Sequence, residues 1–198
     1  MQNNKAKTTC CAWAPIDDEL YRTYHDTEWG VPEYDARALW EKLQLDGMQA
    51  GLSWITILRK RETMREEFDN FDPKKLSKWS QKRINKALTN PGVIRSPKKI
   101  AALIGNAQAY LDMIEAGDDF ADYCWAAVGD TPIINQWTDF RTAPTQTDWS
   151  NDLSKDMKKR GFKFVGPTIV YAWAQAVGMV NDHEIHCLRH KAVQDFYK

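Results

Sequence analysis

Capping residues followed by apolar residues at helical spacing recur along nearly the whole chain, and no other feature limits the fold as much. Asp35 precedes Leu39, Trp40 and Leu43, which predicts a helix ending near Gly47. Ser53 precedes a stripe of Trp54, Ile57, Leu58 and Phe68, with Arg59-Lys60-Arg61-Glu62 on the outer face. Asp72-Pro73 opens a short helix carrying Leu76 and Trp79, and Ser80 opens another carrying Ile84 and Leu88. Asn90-Pro91-Gly92 breaks the chain. Ser96-Pro97 restarts a helix that runs past Ile100, Leu103, Ile104, Ala107 and Leu111 to Gly117. Phe120 to Val128 is apolar and helical in period, Ser150 is placed to cap a basic helix ending at Gly161, and Gly166-Pro167 opens an apolar helix that stops at Gly178. The segment 129–149, with Pro132 and Pro144, reads as loop, and Ile133-Ile134 is the single strand candidate. The pattern predicts an all-α fold of roughly eight to ten short helices.

The chain has 198 residues, 43% hydrophobic and 27% charged, which suits one compact domain over 10–198 behind a polar, flexible tail at 1–9. No window approaches a membrane span, and the polar N-terminal residues lack a secretory signal, so a cytoplasmic protein is expected. Four Cys residues in such a chain are expected as thiols or metal ligands rather than disulfides. Twenty-seven basic side chains balance twenty-seven acidic ones, which excludes a histone-like polycation but leaves room for a local basic patch.

The metal-ligating residue types gather at the two ends. Cys10, Cys11 and His25 lie near one, and His183, His186, Cys187 and His190 near the other. Two Cys and two His drawn from both ends would make a tetrahedral shell tying the termini together. Spacing leaves Cys10 in competition with Cys11, and His186 and His190 in competition with His183.

Three further groups point to a ligand. The turn at Asn90-Pro91-Gly92 leads into the Ser96-Pro97 helix start, where free N–H groups with Lys98 and Lys99 suit a phosphate; Gly92 is read there as permitting a positive φ. Basic pairs and triplets recur at Arg59-Lys60-Arg61, Lys74-Lys75, Lys82-Arg83 and Lys158-Lys159-Arg160. Tyr21 and Tyr24 share a helix face, while Asp46, Gln49 and Trp54 flank a run whose two glycines, Gly47 and Gly51, suggest a tight loop between helices. Large rings beside one acid suit a flat, electron-poor ligand.

These stretches resemble a known family. Tyr24-His25-Asp26-Thr27-Glu28-Trp29-Gly30-Val31-Pro32 is similar to the Y-H-D-x-E-W-G-x-P segment of 3-methyladenine DNA glycosylase I, and Gln49-Ala50-Gly51-Leu52-Ser53-Trp54-Ile55-Thr56-Ile57-Leu58 to its Q-A-G-L-S-W-x-T-x-L run. Lys159-Arg160-Gly161-Phe162-Lys163-Phe164-Val165-Gly166 and Val180-Asn181-Asp182-His183 resemble its C-terminal blocks, and the likeness spans about residues 10–187.

The resemblance implies a two-lobed helix-hairpin-helix glycosylase fold with a base-binding cleft and a structural Zn2+ on Cys11, His25, His183 and Cys187. It implies a base pocket of Tyr21, Tyr24, Asp46 and Trp54, with Asp46 as the catalytic carboxylate and Trp54 stacking on the base. It implies DNA contacts from Gly51 and Leu52 against the gap left by a flipped nucleotide, and from Gly92, Lys98, Lys99 and Lys163. Where the family reads L-E-G-x-Q-A-G, this chain reads Leu45-Asp46-Gly47-Met48-Gln49-Ala50-Gly51, so the carboxylate is kept but is one methylene shorter.

The implied reaction is hydrolysis of the N-glycosidic bond of 3-methyladenine in double-stranded alkylated DNA. It needs no strand cleavage and no nucleotide cofactor, and a monomer is expected to carry it out. The cationic base leaves readily, and a lone buried anion would favour it over neutral adenine. The alternatives are a non-catalytic, zinc-stapled module that binds DNA or recognises modified bases, and a hydrolase of free modified nucleosides.

Overall fold

The computed structural model describes residues 10–15 and 17–198; the tail expected at 1–9 lies outside them. Ten α-helices account for most of the described chain: α1 Glu19–Thr27, α2 Ala36–Gln49, α3 Trp54–Glu67, α4 Pro73–Leu76, α5 Gln81–Ala87, α6 Pro97–Glu115, α7 Phe120–Ala126, α8 Asp148–Lys159, α9 Pro167–Ala176 and α10 Leu188–Ala192. Two strands of two residues each, β1 Ile133–Ile134 and β2 Val180–Asn181, pair in parallel. The all-α reading therefore holds, with one small ladder pinning the 129–149 loop to the C-terminal segment.

Side-chain caps start most helices where the sequence placed them. Asp35, Asp72, Ser80 and Ser96 each accept a backbone N–H from the first turn of α2, α4, α5 and α6. Two expectations are corrected. Ser53 precedes α3, but its hydroxyl bonds Thr56 Oγ1 at 2.8 Å instead of a backbone amide. Helix α8 starts at Asp148 under a Thr147 cap, and Ser150 is the third helical residue, completing a capping box with Thr147. Helix α10 and strand β2 gave too short a pattern to be read from the sequence.

Helix α2 is the axis on which the rest is arranged. It packs on α3 and α6 on one side and on α7 and α9 on the other, burying Leu39, Trp40, Leu43, Leu45 and Met48. One lobe carries α4 against α6, the other carries α8 against α9, and the two meet along α2. The rest of α1 lies over α3, and its C-terminal turn joins the Cys/His-bearing ends of the chain. No helix among the described residues is long and apolar enough to cross a membrane.

Candidate active site and metal cluster

The aromatic and acidic residues singled out in the sequence converge at the seam between the lobes. Asp18 caps α1 by accepting from Tyr21 N, and three-residue spacing then sets Tyr21 and Tyr24 on one face. Asp46 sits in the penultimate turn of α2, and Trp54 is the first residue of α3. Between them Gly51 adopts φ +76°, which a side chain would strain, and this reversal returns Trp54 toward Asp46. Gly47, expected in that loop, lies inside α2, where an added Cβ would meet Phe164 at 3.4 Å.

Tyr21, Tyr24, Asp46 and Trp54 line a cavity of about 210 Å³, closed further by Trp13, Trp29, Phe140, Gln175 and Asp182. Its rings are close: Tyr24 and Trp54 lie 5.3 Å apart between centroids, and Tyr21 and Tyr24 lie 6.5 Å apart. Asp46 is 4% exposed, and Trp54 is 8% exposed with an indole N–H that has no partner among the described residues. Burial and the neighbouring Asp46 push the Tyr24 hydroxyl well above the usual tyrosine range, so it stays a donor.

The acid is not alone, and this corrects the expectation of a lone anion. Lys42, one turn earlier on α2, places Nζ 2.6 Å from Asp46 Oδ2 and 4.1 Å from the centroid of the Trp54 ring. Burial raises the Asp46 carboxyl above its ordinary value, and the Lys42 ammonium opposes that shift. Burial also lowers the Lys42 ammonium, against the pull of Asp46. The i,i+4 spacing of Lys42 and Asp46 is legible in the sequence and could have revealed the pair.

The Cys and His residues from the two ends form a second, separate cluster. The ligand atoms of Cys11, His25, His183 and Cys187 all lie within 4.8 Å of one another, and all four residues are buried. Cys11 Sγ is 3.4 Å from His183 Nδ1, and Cys187 Sγ is 3.7 Å from both His183 Nδ1 and His25 Nε2.

The competing residues are engaged elsewhere. Cys10 accepts from Arg22, His190 bonds the Asn135 carbonyl, and His186 is exposed. The outward nitrogens of the cluster histidines are already bonded: His183 Nε2 lies 3.0 Å from the Trp29 carbonyl and His25 Nδ1 lies 2.7 Å from Asp26. Such outer partners fix the tautomer that points the free nitrogen inward, as metal ligation requires. His183 and Cys187 share a turn rather than a helix, since Cys187 is the residue capping α10.

A sequence model of the methyladenine glycosylase family matches residues 13–190. The chain belongs to the methyladenine glycosylase family. A DNA-3-methyladenine glycosylase of Haemophilus influenzae is 48% identical over 180 residues, covering 91% of this chain and 97% of the relative. A crystal structure of 3-methyladenine DNA glycosylase I superposes with a TM-score of 0.89 at 48% identity, covering 90% of this chain and 98% of that one. A Tyr-to-Phe variant of such an enzyme, solved in complex with 3-methyladenine, superposes at 0.86 with 36% identity, covering 90% and 95%.

In this member of the family, the residues expected at DNA are scattered over several elements. Leu52 is 42% exposed beside Gly51, and an added Cβ at Gly51 would meet nothing within 4 Å, so this loop tip is bare. Lys98 and Lys163 are exposed. Lys99 is used differently from the expectation: its Nζ donates to the carbonyls of Met48 and Ala50 at 2.8 and 2.6 Å, tying the start of α6 to the loop after α2.

Gly92 shows no positive φ, which corrects the reason given for it. Glycine is needed there because a Cβ would fall 2.3 Å from Thr63 Cγ2. Several basic clusters are engaged in ion pairs, with Arg59 on Asp18, Arg61 on Glu28, Arg83 on Glu67, and Arg160 on Asp118 and Asp156.

Three polar residues that support the site escaped the sequence reading. Asp182 accepts from Asn135, Trp137, Tyr171 and Gln175, binding the 129–149 loop to α9 beside the cavity. Glu184 accepts from the amides of Ala12 and Phe140, which links the N-terminal segment to the same loop. Asn106 on α6 clamps the backbone N–H and carbonyl of Lys163 and reaches Gln44 on α2. Each makes contacts more than forty residues away in sequence, which local spacing does not reveal.

Proposed function

We propose that this protein hydrolyses the N-glycosidic bond of 3-methyladenine in alkylated double-stranded DNA and leaves the strand intact. The observation that carries the reading is the aromatic cavity with a buried carboxylate at its wall and an unpartnered indole N–H on Trp54. A flat, extruded purine fits it chemically: the rings offer stacking surface, the Asp46 carboxylate accepts from an exocyclic amine, and the tyrosine hydroxyls offer donors. Methylation makes the base a good leaving group, so binding the extruded cation and the oxocarbenium-like sugar suffices without strong acid catalysis.

Duplex contact falls to the bare loop at Gly51 and Leu52, the hairpin of α5 and α6 with Gly92 at its turn, and the exposed Lys98 and Lys163. The relative solved with 3-methyladenine supports the choice of base. Cys11, His25, His183 and Cys187 fit a closed, tetrahedral structural Zn2+, two thiols and two imidazoles with their outer nitrogens bonded. The ion would supply a crosslink between the two ends of the chain, leaving no open position for water.

Incubation with methylated duplex DNA should release 3-methyladenine without nicking, and should leave the free methylated nucleoside intact. Release from the nucleoside alone would favour a nucleoside hydrolase, and binding of the DNA without any release would favour a recognition module.

A further inference from the structure

We propose that Lys42 is a positioning residue of the base pocket, seated behind Asp46 so that its ammonium fixes the direction and the charge of that carboxylate and covers one face of Trp54. The inference rests on the reading that this pocket takes an alkylated purine, and extends it to a side chain that does not line the pocket.

The geometry is that of a partition. Asp46 forms part of the wall of the first cavity, while the stem of Lys42 rises from a second cavity of about 330 Å³ on the other side of α2 and Tyr24. The ammonium meets Asp46 Oδ2 at 2.6 Å and stands 4.1 Å from the Trp54 centroid, with the two side chains 15% and 4% exposed. A base that stacks on Trp54 is left the opposite face of the ring, and one that bonds Asp46 meets a carboxylate already held through one oxygen. Cation–π contact and a charge-assisted bond from the same ammonium also lock the indole and the acid to each other.

The other charges near the pair are committed elsewhere. In the second cavity Arg61 pairs with Glu28 and Arg65 with Glu41, while Glu33 accepts the amides of Tyr34 and Asp35. In the first cavity the titratable neighbours are Tyr21, Tyr24 and Asp182, the last holding four donors. The end of α9 presents Ala176, and the next residue Val177, to the second cavity, and neither bears a charge. Asp46 is therefore the anion that Lys42 faces at bonding distance, whereas the four donors on Asp182 are all uncharged. The Lys42 ammonium offsets the charge of Asp46, so what that carboxylate offers a cationic base depends on where it points.

The test is a comparison of wild type, Lys42→Met, Lys42→Gln and Lys42→Arg, each checked for its melting transition. Base release from methylated duplex DNA is followed between about pH 5 and 9, and the Asp46 carboxyl is titrated by carbon NMR. Removing the ammonium leaves burial unopposed. The neutral variants should therefore raise the Asp46 midpoint and the acid limb of kcat/KM by about one pH unit or more, with a loss of about tenfold near neutrality.

Lys42→Arg should keep the acid limb close to that of the wild type. An Asp46 midpoint that does not move in either neutral variant would overturn the proposal. A wild type that releases no base, together with a midpoint that moves, would instead sink the assigned reaction and leave the role of Lys42 toward Asp46 standing.

Discussion

The Cys/His cluster and the aromatic cavity sit at neighbouring edges of α1, share Trp13 and Trp29 as walls, and are finished to different degrees. In the cluster, every nitrogen that points outward already has a partner: Asp26 for His25 and the Trp29 carbonyl for His183. Its ligand atoms lie within 4.8 Å of one another, and Cys11 Sγ also accepts the Glu184 amide. In the cavity, Trp54 keeps a buried N–H with no partner among the described residues, and the carboxylate of Asp46 is bonded from behind. Buried polar groups left unpaired are costly, and native chains keep few of them. The contrast separates a region built to stay shut from one built to receive, and predicts that damage to the first reads out as stability and damage to the second as activity.

The largest effect belongs to the cluster. With the proposed Zn2+ in the cluster, Cys187→Ser or a chelator should remove it and lower the melting temperature steeply, since structural zinc in zinc-finger peptides binds with about 10–16 kcal/mol of apparent free energy that is coupled to folding. Metal analysis and calorimetry on the full chain check this. A Cys187→Ser protein that melts like the wild type would erase the contrast, since the cluster would then be as expendable as an open site.

Asp46→Asn should invert that pattern. We expect kcat/KM to fall by about a hundredfold, or about 2.7 kcal/mol of transition-state stabilisation, with a smaller loss of stability. Some loss is unavoidable, because the substitution leaves the buried Lys42 ammonium facing an amide. The wild-type pH profile sharpens the point. Burial holds the Asp46 carboxyl above the ordinary carboxylate range, so activity that needs the ionised form is complete at higher pH and is lost as pH falls through that raised value. An acid limb at the usual aspartate position would mean that Asp46 is not the group being titrated.

How much of this was legible in the sequence follows from how local each signal is. Helix starts were readable because a cap and its amide lie two or three residues apart, as with Asp35 and Ala38 or Ser96 and Lys99. The metal cluster was readable as residue types gathered at both ends, yet spacing alone could not choose Cys11 over Cys10; Arg22, which takes Cys10, is visible only in three dimensions. The pocket residues were placed through a family likeness, while Lys42 was overlooked although its four-residue offset from Asp46 is a local signal. Lys99 was misassigned for a different reason. A lysine at a helix start looks the same in sequence whether it meets a phosphate or, as here, the carbonyls that end another helix.

The hairpin lies between the two extremes, shut by packing rather than by ligands. Gly92→Ala would drive a methyl group to 2.3 Å from Thr63 Cγ2, so α3 or the turn must shift, at a cost of about 1–3 kcal/mol. Thr63→Ser removes the colliding methyl and should return most of that loss in the double variant, measured by denaturant unfolding. If Gly92→Ala is harmless alone, the hairpin is loose enough to count with the open region.

The smallest effect on stability, and the finest test of the contrast, is Leu52→Ala. Leu52 is 42% exposed at the tip beside Gly51, and its N–H donates to the Gln49 carbonyl at 2.6 Å, so the loop conformation is set by the backbone and Gly51 rather than by the leucine side chain. Removing that side chain should change folding free energy by less than about 0.5 kcal/mol. If the leucine fills the gap behind an extruded nucleotide, base release from duplex DNA should still fall about tenfold, or about 1.4 kcal/mol, because the unpaired partner base loses an apolar contact. Release from a substrate with the damaged base already unpaired should suffer less, since extrusion then costs less. Equal losses on both substrates would place Leu52 in binding rather than extrusion, and no loss on either would move the bare loop out of the DNA interface altogether.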